Sequence, residues 1–287
     1  MCRIIGALGR YSKISEYYID LVKGLIGASE YDPYSARAFG ESDASHKDGW
    51  GRATVYVDIN KTSLFIYKSL SPIFVDKPVD PLFRSEILRS SDPIVIDFIH
   101  ARAASAGMPV NFLSVQPFEA LTQSGSRLIL IHNGSVDKDL LAKELRGKIS
   151  ESVIKRYSDT YLLTLYLAEK IRDEFDPSIL KESKEFVKTA LNLGVILISN
   201  SKIEKIFGSY YKKEVLAQEY WDYYRMYMAQ LDESTIFYAS STIIDFQSYR
   251  PKKISDWREI PNNTFYLVEI ELQGIKDIEI KIKQFNI

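Results

Sequence analysis

The chain has 287 residues, 46% of them hydrophobic and 26% charged, with a formal net charge of −1. That balance describes a soluble globular protein of one large domain or two ordinary ones. It excludes a general nucleic-acid binder, which is normally basic. No apolar run reaches the roughly 18 residues of a membrane span, and no basic segment followed by a long apolar stretch opens the chain, which points to the cytoplasm.

In chain order, residues 2–9 read as a short apolar strand that begins at Cys2. Ile14, Tyr18, Leu21, Val22, Leu25 and Ile26 recur at helical spacing and predict a helix over 14–28, with Ser15 available to cap it. Residues 29–49 are rich in Ser, Asp, Gly and Pro and read as loop. The segments 52–59 and 62–68 predict a hairpin turning at Asn60-Lys61. Residues 69–92 read as irregular and helical. Strands follow at 93–102 and 127–134, then helices at 137–146, 159–175 and 178–192, then a strand at 194–200. The remainder is mostly β, with strands near 203–213, 223–230, 235–241, 264–271 and 276–283. The Tyr-rich stretch 210–227 could suggest stacking on bases, but Tyr is a favoured strand residue and the structural reading is preferred. Strands come in runs with helices clustered between them, which predicts an α+β fold with largely antiparallel sheets rather than a βαβα alternation. No linker divides the chain, so 1–287 is read as one domain.

A single cysteine rules out an intramolecular disulfide and a multi-cysteine zinc cluster. That cysteine directly follows Met1, where it is either a small buried apolar residue placed by chance or a nucleophile. Four segments are rich in site-forming residue types: Met1-Cys2-Arg3, His46-Lys47-Asp48-Gly49-Trp50-Gly51, His100-Ala101-Arg102-Ala103-Ala104-Ser105 and His132-Asn133-Gly134. A fifth, Ser158-Asp159-Thr160, opens a helix. A thiol is a strong nucleophile only as thiolate. A free α-amine, with an ordinary pKa of about 8, can take its proton. Once Met1 is removed, Cys2 therefore carries nucleophile and base in one residue.

Arg102 closes a strand face of Ile94, Ile96, Phe98 and His100. It is either a surface arginine or a fork for a carboxylate. Asn133-Gly134 is above all a turn signal. Its alternative is an oxyanion hole made by the Asn133 amide and the Gly134 N–H. Asp159 is either a helix-start acid behind the N-cap Ser158 or a carboxylate for a substrate ammonium. His46, His100 and His132 could arithmetically hold a metal, but they lack paired spacing such as H-x-x-x-H and are read as loop braces.

These five motifs, in this order and approximate spacing behind Met-Cys, resemble the class II glutamine amidotransferases, an N-terminal-nucleophile hydrolase family. The resemblance spans at least residues 2–161. It implies a four-layer αββα sandwich, no cofactor and no metal. It makes Cys2 the nucleophile, Asn133 and Gly134 the oxyanion hole, and Arg102 and Asp159 the binders of the α-carboxylate and α-amino groups of glutamine. The start and the His46–Gly51 motif look most like the small stand-alone branch. Tyr161 stands where the family often has an acid, and Ala103 where large synthases have tryptophan, leaving room for a longer substrate. The expected activity is cleavage of a γ-glutamyl amide through a Cys2 thioester, with ammonia passed to an acceptor. The chain offers no second domain to consume that ammonia, so this reading needs a synthase partner. The alternatives are a stand-alone hydrolase of a larger γ-glutamyl amide or peptide, and a catalytically idle glutamine-binding regulatory domain. No nucleic-acid or membrane partner is expected.

Overall fold

The computed structural model describes residues 2–40, 42–58, 61–77, 92–105, 107–272 and 280–287. β1 (Arg3–Arg10) is buried along nearly its whole length because both of its faces are covered. Ile4 and Leu8 enter one core, Ile5 and Ala7 another. α1 (Tyr11–Glu30) follows at once and buries Ile14, Tyr18, Leu21, Val22 and Leu25. It begins before the predicted residue 14, so Ser15 cannot cap it. Instead the Ser15 hydroxyl donates to Ser12 O, and Asp92 takes the Ser12 N–H at 2.8 Å. The expected loop 29–49 contains α2 (Pro33–Phe39). Asp32 accepts from Tyr34 N and Ser35 N, Pro33 presets the first turn, and Gly40 ends the helix at φ 65°.

β2 (Trp50–Asp58) and β3 (Lys61–Ser69) make the expected hairpin, with Asn60 outside the described residues and Lys61 opening β3. α3 (Ile73–Asp76) falls in the stretch expected to be irregular and helical, of which 78–91 lie outside the described residues. β4 (Ile94–Ala101) is buried throughout. β5 (Phe118–Leu121), unsignalled in the sequence, pairs with β6 (Arg127–Val136). The helices α4 (Lys138–Glu144), α5 (Glu151–Arg156), α6 (Asp159–Lys170) and α7 (Pro177–Ser183) come next.

One expectation fails here. The helix foreseen over 178–192 stops at Ser183, and β7 (Val187–Ile198) starts seven residues before the foreseen strand. Val187 and Leu191 have helical spacing, but pairing with β6 claims them: Val136 faces Val187 and Gly134 faces Leu191. β8 (Lys202–Ser209) follows. The strand foreseen from 223 is the end of a helix, α8 (Gln218–Tyr224), and then β9 (Met226–Gln230). β10 (Ile236–Ser240), α9 (Ser241–Asp245), β11 (Arg258–Ile260), β12 (Thr264–Glu271) and β13 (Ile280–Asn286) complete the chain; 273–279 are outside the described residues.

Two antiparallel sheets result, ordered β11-β9-β10-β1-β4-β2-β3 and β13-β12-β8-β7-β6-β5. Their inner faces share a core of Ile4, Phe98, Ile131, Phe207, Tyr238 and Val268. α1 covers the outer face of the first sheet. α4, α6 and α7 cover the second, through Leu141, Leu163, Leu167 and Leu180. The layers are therefore helix, sheet, sheet, helix, the expected αββα sandwich. The Tyr-rich stretch supplies a smaller cluster in which Tyr211, Tyr223 and Tyr224 pack with Tyr34. Among the described residues no helix is long and apolar enough to cross a membrane.

Candidate active site

Strand register gathers the motifs. Arg3 pairs with Ala101 and Trp50 also pairs with Ala101, so the starts of β1 and β2 flank the end of β4. Half-buried Cys2 lies just ahead of β1. Its Sγ is 4.0 Å from Ala103 O, and its nitrogen donates to Asn133 Oδ1 at 3.3 Å, reaching across to the second sheet. Met1 lies outside the described residues.

Asn133 is fully buried, and its Nδ2 has no hydrogen-bond partner among the described residues. The next residue, Gly134, has φ +151°, and the strand pairing shifts register between Gly134 and Val136. A Cβ at Gly134 would stand 2.0 Å from Ala190 O, so only glycine fits this bulge. Asn-Gly is thus part of a bulged strand and not a hairpin turn. Asp159 secures the bulge, accepting from Val136 N at 3.0 Å and from Thr160 N at 2.8 Å. Ser158 caps α6 as expected, through Tyr161 N. Tyr161 stacks on Tyr157 with ring centroids 4.0 Å apart and meets Phe118 edge-on.

Arg102 is 6% exposed and no surface arginine. It donates to Pro109 O at 3.1 Å and to Asp48 O at 3.5 Å. Three backbone-directed bonds zip its segment to the His46–Gly51 motif: Asp48 N to Arg102 O, Arg102 N to Gly49 O, and Ala104 N to Asp48 Oδ2 at 2.7 Å.

The histidines separate into different surroundings, and among the described residues no three His, Cys, Asp or Glu side chains converge to hold a metal. His132 Nε2 donates to Ala190 O at 3.0 Å, leaving Nδ1 to accept from the Thr160 hydroxyl at 3.1 Å. Burial pushes its pKa down, which keeps that neutral tautomer. His46 donates to Asp32 Oδ2 at 2.8 Å. His46 braces a loop, as expected, whereas His132 ties β6 to β7 and α6. His100 does neither: the His132 backbone is close, yet neither ring nitrogen makes a hydrogen bond of normal geometry. Burial and the Arg102 charge hold its pKa at about 3.

Sequence reasoning passes over Asp32 and Tyr223. Asp32 is buried and accepts from Arg3 Nε, His46 Nε2 and Thr242 Oγ1. Burial opposes its ionisation, but Arg3 and His46 outweigh burial and keep its carboxyl well below the usual range. The Arg3 guanidinium also lies 3.8 Å over the Tyr223 ring. The one signal in the sequence was the Tyr-rich stretch, which carried no indication of its partner.

No family model and no curated protein sequence matches this chain. Among solved structures, the allosteric regulatory enzyme of purine biosynthesis aligns with 99% of the chain at TM-score 0.51 and 17% identity. Glutamine phosphoribosylpyrophosphate amidotransferase from B. subtilis, complexed with ADP and GMP, aligns with 99% at TM-score 0.50 and 15% identity. The chain spans 49% of the length of each, about half. The fold is that of the N-terminal-nucleophile hydrolases. The fold that the five short motifs led one to expect is thus the fold observed.

Proposed function

We propose that this chain is a class II glutamine amidotransferase-type hydrolase that cleaves a γ-glutamyl amide with Cys2, after removal of Met1. The observation that carries this reading is the Asn133 amide. Its oxygen takes the nitrogen of residue 2, the residue that bears the thiol, while its buried nitrogen is an unspent donor on the same amide. A buried donor without a partner costs ~1–3 kcal/mol. A developing oxyanion on substrate is the partner that would satisfy it.

In the proposed sequence, the Cys2 thiol proton passes to its own amine and the thiolate adds to the γ-carbonyl carbon. The ammonium so formed remains a donor to Asn133 Oδ1. The Asn133 Nδ2–H and Gly134 N–H hold the carbonyl oxygen as its charge develops. The C–N bond then breaks, the amine's proton leaves with the departing nitrogen, and a γ-glutamyl thioester remains on Sγ. Water, deprotonated by the same amine, adds to the thioester carbonyl; the C–S bond then breaks, the ammonium returns its proton to Sγ, and glutamate leaves. Arg102 and Asp159 are assigned the α-carboxylate and α-ammonium groups.

When the departing nitrogen is ammonia, it goes to an acceptor on a synthase partner. A second reading, a stand-alone hydrolase of a larger γ-glutamyl amide, draws on Ala103, a small side chain whose carbonyl lies 4.0 Å from the Cys2 sulfur. Incubation with glutamine and a panel of γ-glutamyl amides, with glutamate as the readout, tests both. Cys2→Ala should abolish release, and an electrophilic glutamine analogue should label Cys2. Activity should scale with the fraction that intact mass shows to lack Met1. An amide nitrogen has no basic lone pair, so full activity in protein retaining Met1 would defeat the amine mechanism.

A further inference from the structure

We infer that Tyr223 is a positioning residue for the nucleophile: its hydroxyl holds the Cys2 carbonyl and so fixes where the Cys2 thiol and amine point. The inference rests on the γ-glutamyl hydrolase reading and adds a residue to it.

Strand pairing begins at Arg3, which faces Ala101, so residue 2 has no ladder partner of its own. Removal of Met1 also deletes the peptide bond on its N-terminal side. Among the described residues, three side contacts then hold residue 2 besides its bond to Arg3. Asn133 Oδ1 takes its nitrogen, Ala103 O stands near its sulfur, and the Tyr223 hydroxyl donates to its carbonyl oxygen at 3.1 Å. The first two groups rearrange during turnover, because the nitrogen gains and loses a proton and the sulfur becomes acylated. The carbonyl bond takes no part in the chemistry and persists through every step. It restrains rotation about the Cα–C bond of Cys2, the torsion that swings amine and thiol together relative to Asn133.

Tyr223 is itself held at three places. Its own carbonyl accepts from Arg3 Nη1 at 2.7 Å and from Ser241 Oγ at 3.2 Å, and its ring lies beneath the Arg3 guanidinium. Arg3 is fixed in turn by the buried Asp32 carboxylate. One residue near the end of α8 thus grips residue 2 with its hydroxyl and residue 3 with its carbonyl and ring face. Burial and the nearby Asp32 charge discourage ionisation of the phenol, which keeps the hydroxyl a donor.

Cys2 is the only cysteine, so protein grown with [1-13C]cysteine gives one labelled carbonyl. Tyr223→Phe deletes the hydroxyl and keeps the ring under Arg3. It should move that carbonyl signal upfield, leave Tm close to wild type, and lower kcat by about 10- to 100-fold with KM held within about two-fold. An unmoved carbonyl signal overturns the inference, and so does a moved signal with unchanged kcat. If the variant fails to fold, the wild-type signal decides: a shift equal to that of the unfolded chain overturns the inference, and a downfield shift supports it. Wild-type protein that releases glutamate from no γ-glutamyl amide rejects the hydrolase reading and the catalytic part of this one. Even then, the carbonyl signal reports whether Tyr223 holds Cys2.

Discussion

Leaving Asn133 Nδ2 buried and unpaired weakens the fold, and that separates function from structure at this residue. Asn133→Ala removes the orphan donor together with a 3.3 Å contact to Cys2. Its stability should equal or exceed wild type, while kcat falls by about 10²- to 10³-fold. Denaturant midpoints and initial rates on the same preparations check both signs; a loss of stability in step with activity would return Asn133 to a structural role. Arg102→Lys keeps the charge and loses the planar fork. It should lower kcat/KM strongly with stability unchanged, and equal activity of the two proteins would leave Arg102 only its loop contacts with Pro109 and Asp48. The sequence singled out Cys2, Arg102, Asn133 and Asp159 as candidates through their motifs. It concealed Asp32 and Tyr223, because each is defined by partners distant in the chain: Arg3 lies 29 positions before Asp32, and Cys2 lies 221 before Tyr223.

At the scale of elements, the bulge in β6 is where backbone shape makes the site. Gly134 occupies a backbone conformation that side chains rarely adopt, with Ala190 O where a Cβ would go. Gly134→Ala should therefore cost about 3 kcal/mol or more, from strain and overlap together. A thermal melt reads it directly, and a wild-type Tm would mean the bulge can relax. Long buried strands such as β4 were legible because apolar runs of that length bounded by polar loops have few other solutions. β7 was misjudged at its start because Val187 and Leu191 sit four apart, and only pairing with β6 makes them strand. Short elements were missed for a related reason. β5 is four residues and β11 three, too few to display a period.

The whole molecule stores a response to acid. His100 is buried neutral with its pKa lowered from an ordinary 6.5 to about 3. Between those values the unfolded chain binds the extra proton and the folded one does not, so stability falls as pH drops from about 6.5 toward 3. Asp32 has the depressed carboxyl, and its contribution is intact above its ordinary value of 3.8 and is lost further into acid. Urea midpoints across this range should decline in two stages, and His100→Leu should reduce the earlier one, leaving the part due to His46 and His132, whose pKa values burial also lowers. An equal slope in wild type and His100→Leu would assign the loss to other groups.

The place of β1 in the middle of its sheet has a consequence for how the protein is made. The Ile4 N–H is satisfied by Ser240 Oγ, 236 positions further along, on the strand that walls β1 on one side. Synthesis runs from the N-terminus, so the ribosome delivers the thiol first and its flanking strand among the last pieces. Until β10 emerges, β1 can pair only with β4, and its other edge stays open. On the proposed mechanism, that interval is when a methionine-removing peptidase would act on residue 1. Nascent chains halted short of β10 should carry a cysteine that reacts as an ordinary thiol and should release no glutamate, with activity arising only once β10 has cleared the exit tunnel.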